Sequence, residues 1–179
     1  APSVEYVVRT IHGKEIRVDN PADLPPAGDI QEIREPSMKI SVVTPTRYIG
    51  AVMELVTGRR GVYERMEYLD ELRVILSYRI PLSEMLTDFY DMLKSGTQGY
   101  ASLDYSFADY EPADLVRLDI LVNNLPVDAL SLITHKDKAY QQGKELVHKL
   151  RKLIPRQMFE VPIQAAIGSR IIAREDIAA

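Results

Sequence analysis

The chain of 179 residues contains no cysteine. Disulfides, thiolate metal sites and cysteine nucleophiles are therefore excluded, and a reducing compartment is expected, with the cytoplasm as the default. No apolar run approaches the roughly 18 residues that a helical membrane span requires, and the opening APSVEYVVRT has neither signal-peptide nor transit-peptide character. The phosphate-cradling pattern G-x-x-x-x-G-K-[ST] is missing, as are G-x-G-x-x-G and G-x-S-x-G. His12, His135 and His148 are scattered, with no H-x-x-x-H spacing. The carboxylates Asp88 and Asp91, and the cluster Glu67, Asp70 and Glu71, read as solvated surface. No catalytic, cofactor-binding or metal-ligating residue is expected in this chain.

What is present is an uneven distribution of charge. The chain carries a net charge of -4, yet Lys136 to Arg156 holds seven basic residues (Lys136, Lys138, Lys144, Lys149, Arg151, Lys152, Arg156) against Asp137 and Glu145. That local excess of five leaves -9 on the remainder. Such polarisation fits a face that meets an anion, nucleic acid above all, and also fits a solvated helix face. Arg59-Arg60-Gly61 at a helix end, and Arg170 and Arg174 near the C-terminus, add further candidates for phosphate contact; dipole complementarity at a helix C-terminus is the alternative for the first. The tyrosines Tyr100, Tyr105 and Tyr110 could stack on bases, but the Lys/Arg-Gly-Phe motif of sheet-type RNA binders is absent, and core or rim packing is expected for them.

Periodicity supplies the architecture. VEYVVRT and KEIRV around His12-Gly13 predict a hairpin, and DNPADLPPAGD a linker. MKISVVTP predicts a strand, and YIGAVMELVTGRRG a helix with Gly61 at the left-handed position past its end. VYERMEY and LRVILSYRI predict two strands, the second with Leu72, Val74, Leu76, Tyr78 and Ile80 on one buried face. PLSEMLTDFYDMLK predicts one helix with Leu82, Met85, Leu86, Phe89 and Leu93 as its apolar stripe, and Ala101, Leu103, Tyr105 and Phe107 a last alternating strand. The order strand, helix, strand, strand, helix, strand is that of an α+β, ferredoxin-like βαββαβ sandwich. Beyond Pro112, LVRLDILV and VDALSLI predict a hairpin through Asn123-Asn124. A basic helix from about Lys138 to Ile154, stopped by Pro155, follows. The tail predicts a short strand before Pro162 and leaves the run at Ile171-Ile172 open.

Four stretches carry a resemblance: the opening APSVEY, RYIGAVMELVTGRRG, IPLSEMLTDFYDMLKSGTQGYASLDYSFADYE and NNLPVDALSLITHKDKAYQQGKELVHKLRKLIPRQMFEVPIQAAIGSRIIARE. Together they resemble the LepA family of translational GTPases over essentially the whole chain. The helix ending in RRG, PLSEM and S-x-TQG are shared with the fifth domain of elongation factor G, whereas Asp114 to Arg174 is similar to the domain peculiar to LepA. The resemblance implies a C-terminal fragment: 1–35 as the end of a third domain with its linker, 36–111 as the ferredoxin-like domain, and 112–179 as a LepA-type α+β C-terminal domain, truncated at its end. GTP and Mg would belong to a GTPase domain outside this chain, so that the intact parent is an enzyme and this fragment is not. The implied partners are the ribosome, through ribosomal RNA and stalk-base proteins, and tRNA, in the remodelling or back-translocation of tRNAs on stalled ribosomes. A monomer in the bacterial cytoplasm is expected, with peripheral association at the cytoplasmic membrane also implied. The RNA-facing candidates are Arg59, Arg60, Lys136, Lys138, Lys144, Lys149, Arg151, Lys152, Arg156, Arg170 and Arg174. The fold alone also admits a regulatory module that binds a small molecule.

Overall fold

A computed structural model of the chain describes residues 4–179; the first half of the APSVEY stretch lies outside the described residues. The chain divides into two compact units, one formed by residues 4–6 with Arg34–Glu111, the other by Val7–Ile33 with Pro112–Ala179. Val7–Ile33 of the 1–35 segment thus group with the chain beyond Glu111. Strands β1 (Tyr6–Thr10) and β2 (Glu15–Val18) form the hairpin expected around His12-Gly13, with Gly13 at φ 82 and its N–H donating to the Thr10 carbonyl at 2.9 Å. The proline-rich stretch after it holds two short 3-10 turns, and Ala113 N–H donates to the Ile33 carbonyl at 3.0 Å.

In the first unit the chain runs through β3 (Ile30–Pro45, whose first residues lie in the second unit), α1 (Ile49–Gly58), β4 (Val62–Tyr68), β5 (Arg73–Pro81), α2 (Leu82–Met85), α3 (Phe89–Gly96) and β6 (Ser102–Pro112). The strand order is β6-β3-β5-β4, the expected ferredoxin-like arrangement. β3 and β5 pair antiparallel, so Ile40 opposes Tyr78 and Val42 opposes Leu76. These residues, with Val74 and Ile80, form the sheet side of a core closed by Val52 and Val56 of α1 and Phe89 and Leu93 of α3. Sequence alternation fixes that face, because successive strand side chains point to opposite sides.

Three details depart from the periodicity. Leu72 is exposed and precedes β5: the Asp70 carboxylate accepts from the N–H groups of Leu72 and Arg73, each at 2.9 Å, and this local turn holds Leu72 outside the strand. The predicted single helix over PLSEMLTDFYDMLK is broken at Asp88, which has φ 49. Beyond Leu103, which packs on the core, Tyr105 and Phe107 are exposed on the edge strand β6; the alternation continues there without a buried face.

The second unit adds β7 (Leu115–Val122), β8 (Leu125–Pro126), β9 (Leu132–His135), α4 (Lys136–Leu153), β10 (Val161–Ile167) and β11 (Arg170–Ile177). Its sheet runs β11-β10-β7-β8, with β9 also paired to β7. Asn123 and Asn124 both take positive φ, 52 and 65, as a two-residue hairpin turn demands. The predicted strand over VDALSLI shortens to β9, because Asp128–Leu130 form a 3-10 turn. Pro162 lies inside β10 and does not follow a strand; pairing with β7 begins only at Ile163, so no bond of that ladder is lost at the proline. The open run at Ile171-Ile172 is part of β11.

Helix α4 begins where the His135 ring accepts the Asp137 N–H at 3.2 Å. It ends before Ile154, which is held extended at φ -86, ψ 125 by the proline after it. Its buried side, Ala139, Gly143 and Val147, lies over Leu118, Ile120, Ile163 and Ala165. Gly143 permits close approach: a Cβ there would stand 3.0 Å from Ala165 Cβ and 3.1 Å from Ile172 Cδ1.

Candidate nucleic-acid interface

The eleven basic candidates separate into those that hold the fold and those that face solvent. Arg59 and Arg60 belong to the first group. At the end of α1 the Gly61 N–H donates to the Val56 carbonyl at 2.8 Å, and a Cβ on Gly61 would come within 2.6 Å of that oxygen. The left-handed residue of this turn is Arg60, with φ 60, and not Gly61 as the sequence pattern predicts. The glycine is required by close approach.

The turn aims both guanidinium groups inward. Arg59 donates to the carbonyls of Glu84 at 3.0 Å and Thr87 at 2.8 Å, and to Asp88 Oδ1 at 2.7 Å. In a continuous helix those carbonyls would accept from Asp88 and Asp91, so their capture by Arg59 accounts for the break between α2 and α3. Arg60 makes a bidentate pair with Glu35, both bonds 2.8 Å, and its Nε lies 3.4 Å from Glu84 Oε1. The Glu35 side chain is only 6% exposed and that of Arg60 20%. Burial disfavours the Arg60 charge, but the hydrogen bonds and charges of Glu35 and Glu84 outweigh it and raise its pKa. Tyr6, packed beside this pair, has its pKa raised to about 12, first by burial and then by the Glu35 charge. The exposed, outward-pointing pose expected for the two arginines is not found.

The remaining candidates lie on α4 and the strands beside it. Lys136 pairs with Asp114 at 3.3 Å. Arg151 and His148 share Glu175 of β11, at 3.3 and 2.8 Å, and Arg174 pairs with Asp176 at 3.1 Å. Lys138 is half-buried. Lys144, Lys149, Lys152, Arg156 and Arg170 are exposed and engage no carboxylate among the described residues. At about 100° per residue, Lys138, Lys149 and Lys152 fall within roughly 60° of one another on the side of α4 away from Ala139, Gly143 and Val147. Lys144 and Arg151 lie within about 20° of each other on the flank that reaches Glu175. Lys144, Lys149 and Lys152 present their ammonium groups to solvent along about two turns of helix, which suits a phosphate backbone.

Sequence reading missed the apolar end of this surface. Immediately past α4, Met158 is 89% exposed and Phe159 76%, with Leu153 also bare, next to Lys152 and Arg156. The available signal was two large apolar residues side by side between a helix stop and a strand, where turn residues are usual. The tyrosines divide: Tyr105 is exposed, and Tyr110 packs against Phe107 with ring centroids 5.7 Å apart. Among the described residues no group of three or more His, Asp or Glu side chains is placed to hold a metal ion. No helix among them is long and apolar enough to cross a membrane.

Residues 32–121 match the family described as Elongation factor G C-terminus, and residues 122–179 the family described as GTP-binding protein LepA C-terminus. Relatives named Elongation factor 4 align along the whole chain. That of Bacillus cereus (strain B4264) is 54% identical over 179 residues, covering 100% of this chain and 30% of its own length. That of Symbiobacterium thermophilum is 53% identical over 178 residues, 99% of this chain and 30% of the relative, and that of Synechococcus elongatus 52% identical over 179 residues, again 30% of the relative. The chain thus spans under a third of the length of these relatives.

Proposed function

The chain belongs to the Elongation factor G C-terminus family, continued by the LepA C-terminus, and from that premise we propose that it is the ribosome- and tRNA-binding, non-catalytic part of a translation-factor GTPase. In this proposal 36–111 is the ferredoxin-like domain and 112–179 the LepA-type domain. GTP hydrolysis, with its Mg, belongs to a part of the protein outside these residues. The intact protein remodels or back-translocates tRNAs on stalled ribosomes in the bacterial cytoplasm, acting as a monomer. The observation that carries the reading is the set of exposed bases Lys144, Lys149, Lys152 and Arg156 on and just past α4, without carboxylate partners among the described residues, in an otherwise acidic chain. Arg59 and Arg60 have no part in it, because their donors are committed inside the first unit.

Phosphate contacts release counterions, so affinity for ribosomes or tRNA falls with salt, by a slope of about 0.9 per phosphate contact on duplex nucleic acid. Substituting Lys144, Lys149 and Lys152 together by alanine reduces that slope by about two to three, as read by ribosome pelleting and tRNA filter binding across a salt series. An unchanged slope and affinity refutes the assignment. The same bases beside Met158 and Phe159 also suit peripheral attachment to an anionic membrane surface; flotation with and without anionic lipid vesicles tests it.

A further inference from the structure

The basic helix is not the only surface built for a nucleic acid. In the first unit the segment between β3 and α1 carries Arg47 and Tyr48, and the loop between α3 and β6 carries Tyr100. The Tyr48 and Tyr100 rings stack at 6.2 Å between centroids with 21° between planes. The Arg47 guanidinium lies over both, 4.7 Å from the Tyr48 centroid and 5.1 Å from that of Tyr100. Arg47 is exposed, and no carboxylate pairs with it among the described residues. Tyr100 keeps 61% of its surface open. An arginine spread over two rings offers a flat cationic and aromatic surface, with its outer N–H groups unspent on acid.

The loop that presents Tyr100 is held in place. Thr97 Oγ1 donates to the Leu93 carbonyl at 2.8 Å and accepts the Ala101 N–H at 3.1 Å. Lys94 Nζ donates to the carbonyls of Gly99, at 3.3 Å, and Ala101. Gln98 and Gly99 take positive φ, 51 and 82, to bring Tyr100 back over Tyr48. Ordering such a ring on binding costs little, because its position is set before a ligand arrives. Nearby, Thr46 N–H donates to the Leu72 carbonyl at 2.9 Å, which brings the exposed Leu72 to the same end of the sheet.

We propose that Arg47, Tyr48 and Tyr100 form a platform for one unpaired base of a structured RNA, the base stacking on the open Tyr100 ring and Arg47 reaching the adjoining phosphate. Stacking on an aromatic ring is tolerant of base identity and suits a nucleotide splayed from a loop, whereas a paired helix offers no such face. The ligand class is a single-stranded loop, distinct from the duplex backbone that suits α4. The inference rests on the proposed RNA-binding role only in assuming that RNA is the partner.

The test uses the full chain and two labelled RNAs: a hairpin with a purine-rich loop, and a blunt duplex of the same stem. Tyr100→Ala weakens the hairpin by about five-fold or more, Tyr100→Phe retains wild-type affinity because the ring face remains, and neither changes duplex binding. Arg47→Ala weakens the hairpin similarly. If the wild-type chain binds the hairpin and Tyr100→Ala binds it equally well, the platform is refuted while the α4 reading stands. If Tyr100→Ala weakens ribosome binding alone, with hairpin affinity unchanged, the partner is a protein and the RNA assignment is overturned. Equal losses on hairpin and duplex refute stacking and indicate a structural role. If neither RNA binds the wild-type chain at any salt, the proposed RNA-binding function itself fails.

Discussion

Replacing Arg60 by alanine tests whether the RRG turn is a structural clamp or an RNA contact. The substitution removes both 2.8 Å bonds to Glu35, whose side chain is only 6% exposed, and leaves that carboxylate buried without its counter-charge. Breaking a buried pair from one side costs about 3–5 kcal/mol. Because Arg60 itself is 20% exposed, the lower end applies, roughly 3 kcal/mol. Alanine keeps the unfavourable positive φ at position 60, so no backbone relief offsets the loss. Against a typical domain stability of about 5–15 kcal/mol the change is large.

Urea unfolding followed by far-ultraviolet circular dichroism reads it, and the midpoint should fall with the m-value unchanged. Adding Glu35→Gln removes the stranded charge and should recover part of the stability, because what is costly is the unpaired carboxylate rather than the absence of the pair. A loss below about 1 kcal/mol for Arg60→Ala, the range of an exposed ion pair, or no recovery in the double variant, would refute the clamp and return Arg60 to the list of available phosphate ligands.

Two further outcomes follow from the same corner of the first unit. Tyr6, with its pKa raised from 10.0 to about 12, binds its proton more tightly when folded. Its contribution is therefore complete below pH 10 and is lost as pH rises from about 10 to about 12, a fall of some 2–3 kcal/mol. Tyr6→Phe should flatten that part of the stability profile, and an identical alkaline slope in wild type and variant would contradict the assignment. Gly61→Ala places a methyl 2.6 Å from the Val56 carbonyl oxygen. Backbone cannot yield there cheaply, so a destabilisation of about 1–3 kcal/mol is expected, and a thermal midpoint equal to wild type would show that the turn can open.

The ferredoxin-like order was legible because each of its strands and helices carries its own period. Val74, Leu76, Tyr78 and Ile80 alternate, and Val52 and Val56 lie one turn apart. The break in the second predicted helix came where a long-range bond overrides a local pattern, whereas Leu72 left its strand through the local Asp70 turn. The apolar stripe of PLSEMLTDFYDMLK reads as one helix, and only the Arg59 side chain, arriving from a helix nearly thirty residues earlier, takes the carbonyls that would have joined its halves. The exposure of Tyr105 and Phe107 is also non-local in origin, since alternation along β6 says nothing about whether a helix covers that part of the strand.

Charge was legible as a sum and illegible as availability. Seven bases in twenty-one residues announce α4, but the same residue types at Arg59-Arg60 and on α4 end in opposite states. The difference follows from the chemistry of the two cations. A planar guanidinium satisfies several carbonyl or carboxylate oxygens at once and is weakly hydrated, so it can be drawn into a fold. An ammonium is strongly hydrated and remains in water unless a specific partner repays its desolvation. Arg59, Arg60, Arg151 and Arg174 are all engaged within the chain, whereas Lys144, Lys149 and Lys152 stay outside it. Arg47, like Arg156 and Arg170, has no carboxylate partner among the described residues, and the fold lays it over two tyrosine rings. In a basic surface read from sequence, the lysines of a helix face are thus the default electrostatic footprint, and an arginine deserves a binding role only after its internal acceptors have been accounted for.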